Sequence, residues 1–160
     1  MEICGTMQRK EVFKMKEERN AIPMTALLML TKENKILLLR RFNTGYEDGK
    51  YCFPGGHVEK GEPIHKAMIR EAKEEIGIDI NEEALKLVHI CNRKVKDNAY
   101  VDFIFECDEW QGKETIMEED KSDELRWFDL NNLPDNVIPF MKEVFKNTKK
   151  IYIPYGWEEL

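Results

Sequence analysis

Two apolar runs lie close together near the start of the chain and constrain its fold most. Met24 to Thr31 (MTALLMLT) and Lys35 to Arg40 (KILLLR) are separated only by Lys32, Glu33 and Asn34. Short apolar runs bounded by turn residues read as buried strands, so this stretch predicts two strands joined by a tight turn. Burying them requires a core. The chain has 160 residues, 42% of them hydrophobic, which is enough for one domain with a real interior. Residues 1–160 therefore read as a single domain, with the strongly charged residues 1–20 peripheral to it.

The same composition excludes several classes. No apolar run approaches the ~18 residues of a membrane span, and the first twenty residues contain no apolar segment of the signal-peptide kind. The expectation is a soluble, cytoplasmic domain without a membrane partner. Lys plus Arg is 25 against 31 for Asp plus Glu, a formal charge of −6. That balance argues against broad nucleic-acid binding, which relies on cationic surface. Cys4, Cys52, Cys91 and Cys107 form no CxxC pair, so neither a zinc site nor a disulfide framework is expected. His57, His65 and His89 show no ligand spacing either. Any metal would be held mainly by oxygen, which favours Mg²⁺ or Mn²⁺.

Further along, Phe42 to Lys50 reads as a loop rich in Gly, Asn and Asp, and Tyr51 to Phe53 as a short strand running into Pro54-Gly55-Gly56. The clearest helix runs from about Pro63 to Ile76. Proline suits a first helical position, Gly77 suits the position just past the end, and Glu62 lies at the positive end of the helix dipole. Strands are expected at Leu85 to Val95, Tyr100 to Cys107 and Leu125 to Leu130. A late helix is expected over Val137 to Asn147, and Ile151 to Ile153 reads as a short apolar tail. Strands dominate with two helices among them, an α+β pattern rather than βαβ alternation.

The chemistry concentrates on the central helix. At about 100° per residue, Glu71, Glu74 and Glu75 fall within about 100° of arc, and Glu71 and Glu75 share a face with Ile64, Ala67 and Met68. A solvated acidic face is the plain reading of such a segment. Two facts oppose it. Glu71 and Glu75 are like charges at i,i+4, which is unfavourable. A carboxylate at the margin of a core is costly unless paired or bound to a metal. A divalent cation held by hard oxygen ligands answers both. Gly55-Gly56 is either a tight turn or a point where backbone approaches a metal or phosphate. Arg40-Arg41 is either a pair of surface charges or a phosphate clamp.

Together these residues resemble the Nudix hydrolase family, whose box reads glycine, five residues, glutamate, seven residues, then Arg-Glu-aliphatic-x-Glu-Glu-x-Gly-aliphatic. Gly56, Glu62, Arg70, Glu71, Ala72, Glu74, Glu75, Gly77 and Ile78 meet that spacing, with Ala72 small for its position. The resemblance extends to Arg40-Arg41, to Phe53-Pro54-Gly55-Gly56 and to the later ELRWFDL segment. It implies an α/β/α sandwich in which a mixed β-sheet is flanked by helices and carries a loop–helix–loop box. It further implies that Glu71, Glu74 and Glu75 serve as metal ligands or general base for Mg²⁺ or Mn²⁺, with the Gly55 carbonyl as a further ligand. Glu62 and Arg70 would brace the box, Gly56 and Gly77 would shape it, and Arg41 would contact phosphate. One more acid is expected before the late strand, from among Glu118, Glu119 and Asp120.

The implied reaction is hydrolysis of a diphosphate linkage in a small nucleotide-like substrate. Residues 92–93 lack the proline of ADP-ribose members, only Gly49 and Phe53 match the coenzyme A type, and Tyr100 lies beyond the diadenosine spacing. A nucleoside triphosphate pyrophosphohydrolase releasing pyrophosphate is therefore favoured. A pterin triphosphate or nucleotide sugar as substrate stays open, as does a catalytically silent nucleotide sensor. Asp135 or Asn136 would contact the base or simply cap the late helix. Tyr46, Tyr51 and Phe103 would stack on a base or pack internally. Family members are often homodimers.

Overall fold

The computed structural model describes residues 21–157. The predicted hairpin is present as β1 (Met24–Lys32) and β2 (Lys35–Arg41), paired antiparallel with Lys32 opposite Lys35. Glu33 and Asn34 alone make the turn, with φ of 50° and 62°. Two positive φ values in a two-residue loop match the right-handed twist of the strands it joins. Six consecutive residues of β1, Thr25 to Leu30, are buried. A strand covered on both faces has this pattern.

The remaining strands are β3 (Tyr51–Cys52), β4 (Gly55–His57), β5 (Lys86–Val95), β6 (Asn98–Cys107), β7 (Ser122–Asp129) and β8 (Tyr152–Tyr155). The main path runs β3-β2-β1-β6-β5-β8, with β4 joined to β1 and β7 to β2. The sheet is mixed, since β1 runs parallel to β6 and β5 parallel to β8. Gly55 and Gly56 prove to be strand residues, paired with Leu27 and Ala26. The apolar tail after Lys150 is also a strand, ending at Tyr155.

Among the described residues, two α-helices pack on this sheet, α1 (Ile64–Ile76) and α2 (Pro139–Lys146). Pro63 is extended and precedes α1; Gly77 ends it in the left-handed region at φ 72°. Ala67, Met68, Ala72 and Ile76 are fully buried, so Glu71 and Glu75 border the face that meets β1 and β4. The late helix starts later than its sequence pattern predicts, because Pro139 takes its first position after Ile138. Asp135 and Asn136 therefore do not cap it. Among the described residues, no helix is long and apolar enough to cross a membrane, and Cys52, Cys91 and Cys107 are buried free thiols. Residues 1–20 and Cys4 lie outside the described residues.

Candidate active site

A cleft of about 940 Å³ opens between β4, α1, the loop after β2 and the sheet face. That volume suits a ligand of nucleotide size. Its acidic wall combines Glu71, Glu74 and Glu75 from α1 with Glu118 and Asp120 from the loop before β7.

The glycines explain how the helix carboxylates come so close to the sheet. A Cβ on Gly56 would lie 2.7 Å from the Glu71 carboxyl carbon and from both its oxygens. A Cβ on Gly55, where φ is 138°, would lie 2.1 Å from the Ala26 carbonyl oxygen. The Gly55 amide donates to Glu75 Oε2 at 2.7 Å, tying strand to helix.

Arg70 organises the outer side. Its Nε and Nη2 donate to the Glu62 carboxylate at 2.9 and 3.0 Å, and its Nη1 to Glu71 at 2.7 Å and Glu74 at 2.9 Å. Nη2 also reaches the His57 carbonyl at 3.1 Å. Arg70 holds Glu62 below the usual carboxylate range. Glu62 itself precedes the helix, where its carboxylate also accepts from the Glu59 amide.

The loop before β7 is stapled to the end of α1. The Thr115 amide donates to the Ile76 carbonyl and the Met117 amide to the Glu75 carbonyl, at 3.0 and 2.9 Å. Glu118 follows directly and lines the cleft, half-buried; Glu119 does not line it. Of the three acids left open by the sequence, Glu118 and Asp120 line the cleft, and Glu118 bears on Glu71 and Glu75.

Burial is the main cause that pushes Glu75 up to about 8. The Gly55 amide opposes it, the Glu71 and Glu118 carboxylates add to it, and Arg41 opposes it weakly. Burial also raises Glu71, against the pull of Arg70. Crowded, desolvated carboxylates of this kind favour a cation that can neutralise them. Among the described residues, no three His, Cys, Asp or Glu side chains form a ready-made ligand group; Arg70 and the Gly55 amide engage the glutamate oxygens. The donor set is nonetheless all oxygen, and the gap left by the missing Cβ of Gly56 is the space the Glu71 carboxylate occupies. Both fit a hard divalent ion. Burial pushes the Cys52 thiol, on the cleft floor, up to about 12, which removes it as a nucleophile.

Arg41 also lines the cleft, its Nε on the Tyr46 carbonyl at 2.7 Å and its Nη2 on Thr44 at 3.0 Å. Arg40 does not join it. Adjacent strand residues face opposite ways, and Arg40 turns outward to Asp123 at 2.7 Å and Glu124 at 3.0 Å. Asp135 and Asn136 also lie outside the cleft. Asn136 donates to the Gly49 carbonyl at 2.8 Å, and its own carbonyl accepts from the Tyr51 amide at 2.9 Å. Both contacts are internal to the fold. Tyr51 is buried with its hydroxyl on Glu124, and Phe103 is outside the cleft, leaving Tyr46 as the one tyrosine of the expected stacking set that lines it.

Sequence reasoning did not find the far end of the cleft. There, Arg93 Nε and Nη2 donate to Asp102 at 2.7 and 3.0 Å, and Thr25 Oγ1 donates to the same carboxylate at 2.7 Å. A signal was available in principle. Cys91 and Arg93 share one strand parity, Asp102 and Ile104 another, so opposite charges stand at inward positions of two neighbouring strands.

A family model described as the NUDIX domain matches residues 22–148. The chain is 35% identical over 106 residues to the ADP-ribose pyrophosphatase of Methanocaldococcus jannaschii, a match covering 66% of this chain and 61% of that protein. It thus spans less than two thirds of that relative. It is 26% identical over 148 residues to the RNA pyrophosphohydrolase of Wolbachia pipientis subsp. Culex pipiens, covering 81% and 88% of the two chains. The crystal structure of a MutT NUDIX hydrolase from Burkholderia pseudomallei superimposes with a TM-score of 0.75 at 22% identity, over 82% of this chain and 100% of that one.

Proposed function

Because the chain belongs to the Nudix family, we propose that it is a metal-dependent hydrolase of a diphosphate linkage in a nucleoside diphosphate derivative. The observation that carries this reading is the convergence of Glu71, Glu75 and Glu118 on one wall of a nucleotide-sized cleft, with Arg41 lining the same cleft.

Glu75, Glu118 and the Gly55 carbonyl would hold Mg²⁺ or Mn²⁺, with Glu74 at the outer margin. Bound there, the cation supplies Lewis-acid stabilisation of charge on the phosphate oxygens. Glu71 takes the proton of the attacking water. Arg41 binds a phosphate through its fork of N–H groups and orients the chain. Arg70, through Glu62 and His57, keeps the helix at its distance from β4. Such chemistry depends on positioning and electrostatics more than on covalent steps.

Within that class a nucleoside triphosphate, cleaved to a monophosphate and pyrophosphate, is the substrate we favour. A second reading, ADP-ribose, has a specific observation behind it, the 35% identity to the Methanocaldococcus relative. The test is product analysis on a panel of nucleoside triphosphates, ADP-ribose, nucleotide sugars and a pterin triphosphate, with Mg²⁺, Mn²⁺ or EDTA. Metal-dependent release from a triphosphate, abolished in a folded Glu75→Gln variant, is expected. Turnover unaffected by EDTA or by Glu75→Gln would falsify the reading. Preference for ADP-ribose would select the second one.

A further inference from the structure

We propose that Arg93, clamped by Asp102 at the end of the cleft remote from the glutamates, is the specificity-determining residue for the substrate's base. It selects a nucleobase edge with two neighbouring hydrogen-bond acceptors. This inference rests on the proposed nucleotide hydrolysis and names which nucleotides that site takes.

The sheet sets the geometry. His57 pairs with Thr25, Thr25 with Asp102, and Asp102 with Cys91, so one register line crosses β4, β1, β6 and β5. At about 4.8 Å per strand, β4, which carries the Gly55–Glu75 contact, and β6, whose Asp102 holds the Arg93 guanidinium, are about 10 Å apart. A nucleoside with its first phosphates can bridge such a span. Glu75 and Arg93 both line the one cleft.

The chemistry at the remote end is that of a reader rather than a phosphate clamp. Arg93 is 8% exposed and Asp102 is fully buried, so their charges cancel at close range. A neutralised pair offers direction more than net charge, and a phosphate gains little from it. Asp102 engages Nε and one hydrogen of Nη2. The outer edge of the guanidinium, formed by Nη1 and the second hydrogen of Nη2, is left with one long contact, 3.3 Å from Nη1 to the Tyr46 hydroxyl. That edge is a two-donor fork. The guanidinium is also fixed in place, with the Tyr100 and Phe140 rings centred 4.7 and 4.5 Å from it. Tyr46 lines the same cleft and is 40% exposed, so its ring is the flat surface open to a base beside the fork. Thr25 donates to Asp102 Oδ1, the oxygen that also accepts from Arg93 Nη2, which keeps the carboxylate from turning away.

A two-donor fork matches adjacent acceptors. Guanine presents O6 and N7 in this way, and cytosine presents O2 and N3. Adenine places an amino donor beside N7 and mismatches the fork. Guanine and cytosine nucleotides are therefore the class selected, against adenine.

The experiment is a calorimetric titration of the full chain in EDTA with GMP, CMP and AMP, followed by kcat and KM for GTP, CTP and ATP with Mg²⁺. Wild type should favour GMP or CMP over AMP by about tenfold or more, the discrimination of a bidentate contact. Arg93→Lys, which keeps the charge but loses the fork, should collapse that ratio through Kd and KM. Asp102→Asn, which keeps the shape and loosens the clamp, should reduce it, and serves if Arg93→Lys does not fold. Equal binding of AMP by wild type, or a ratio unmoved in both variants, overturns the inference while leaving metal-dependent hydrolysis standing. Absence of any metal-dependent nucleotide hydrolysis overturns the function it rests on, and the inference with it.

Discussion

Gly55 and Gly56 are adjacent but fail differently when given a side chain. A Cβ on Gly55 meets backbone, the Ala26 carbonyl, at a φ that L side chains rarely adopt. Gly55→Ala should destabilise the fold by about 2 kcal/mol or more, read from chemical denaturation. The nearest atoms to a Cβ on Gly56 belong instead to a side chain, the Glu71 carboxyl group. Gly56→Ala should unfold near the wild-type temperature yet lose about tenfold or more in kcat, because the carboxylate is displaced. A Gly56→Ala protein with full activity would show that Glu71 need not sit against the strand. Helix periodicity makes Glu71 and Glu75 legible, since their shared face on α1 follows from their spacing in the chain. Strand alternation also separates Arg41, which lines the cleft, from Arg40, which turns out to Asp123 and Glu124. The paired letters hide that difference.

At the level of elements, the loop before β7 shows where sequence runs out. Glu118, Glu119 and Asp120 are equivalent as letters. Their difference comes from the amide of Met117, which docks on the carbonyl of Glu75 and presents the next residue to the cleft. No local pattern encodes that long-range bond. Glu118→Gln should weaken Mg²⁺-dependent turnover about tenfold or more, while Glu119→Gln stays within about twofold of wild type. Similarly, a late helix is legible, but its start is set by Pro139 rather than by the Asp135-Asn136 pair. The strand β8 is legible only as an apolar tail, because it gains its identity by pairing with β5. Between the central strands, Arg93, Asp102 and Thr25 form a buried cross-link over β5, β6 and β1. Asp102→Ala leaves the Arg93 charge unpaired and should cost about 3 kcal/mol or more in denaturant unfolding. A loss within experimental scatter would mean that the sheet carries that charge without its partner.

Across the whole molecule, the charge of −6 conceals an uneven distribution. Much of the acid solvates the surface, whereas Glu71, Glu75 and Glu118 oppose one another inside a cleft. In EDTA, Glu75 is held up to about 8 in the folded state against an ordinary 4.5, and Glu71 is raised too. A raised carboxyl contributes stability that is complete below its unfolded value and disappears as pH rises through its folded value. The metal-free protein should therefore lose stability between about pH 4.5 and pH 8, and Glu75→Gln should flatten the profile. Mg²⁺ binds only the ionised cleft, so its stabilisation should be larger at about pH 8 than at about pH 5. Thermal unfolding with and without Mg²⁺ reads both trends, and a larger Mg²⁺ shift at the acid end would contradict them.

The most direct test is Mn²⁺ binding followed by electron paramagnetic resonance near neutral pH. Wild type and Glu119→Gln should remove free Mn²⁺ from solution with equal affinity. Glu75→Gln should weaken that binding about tenfold or more. Equal affinity of Glu75→Gln and wild type would contradict the assignment of these glutamates to a metal.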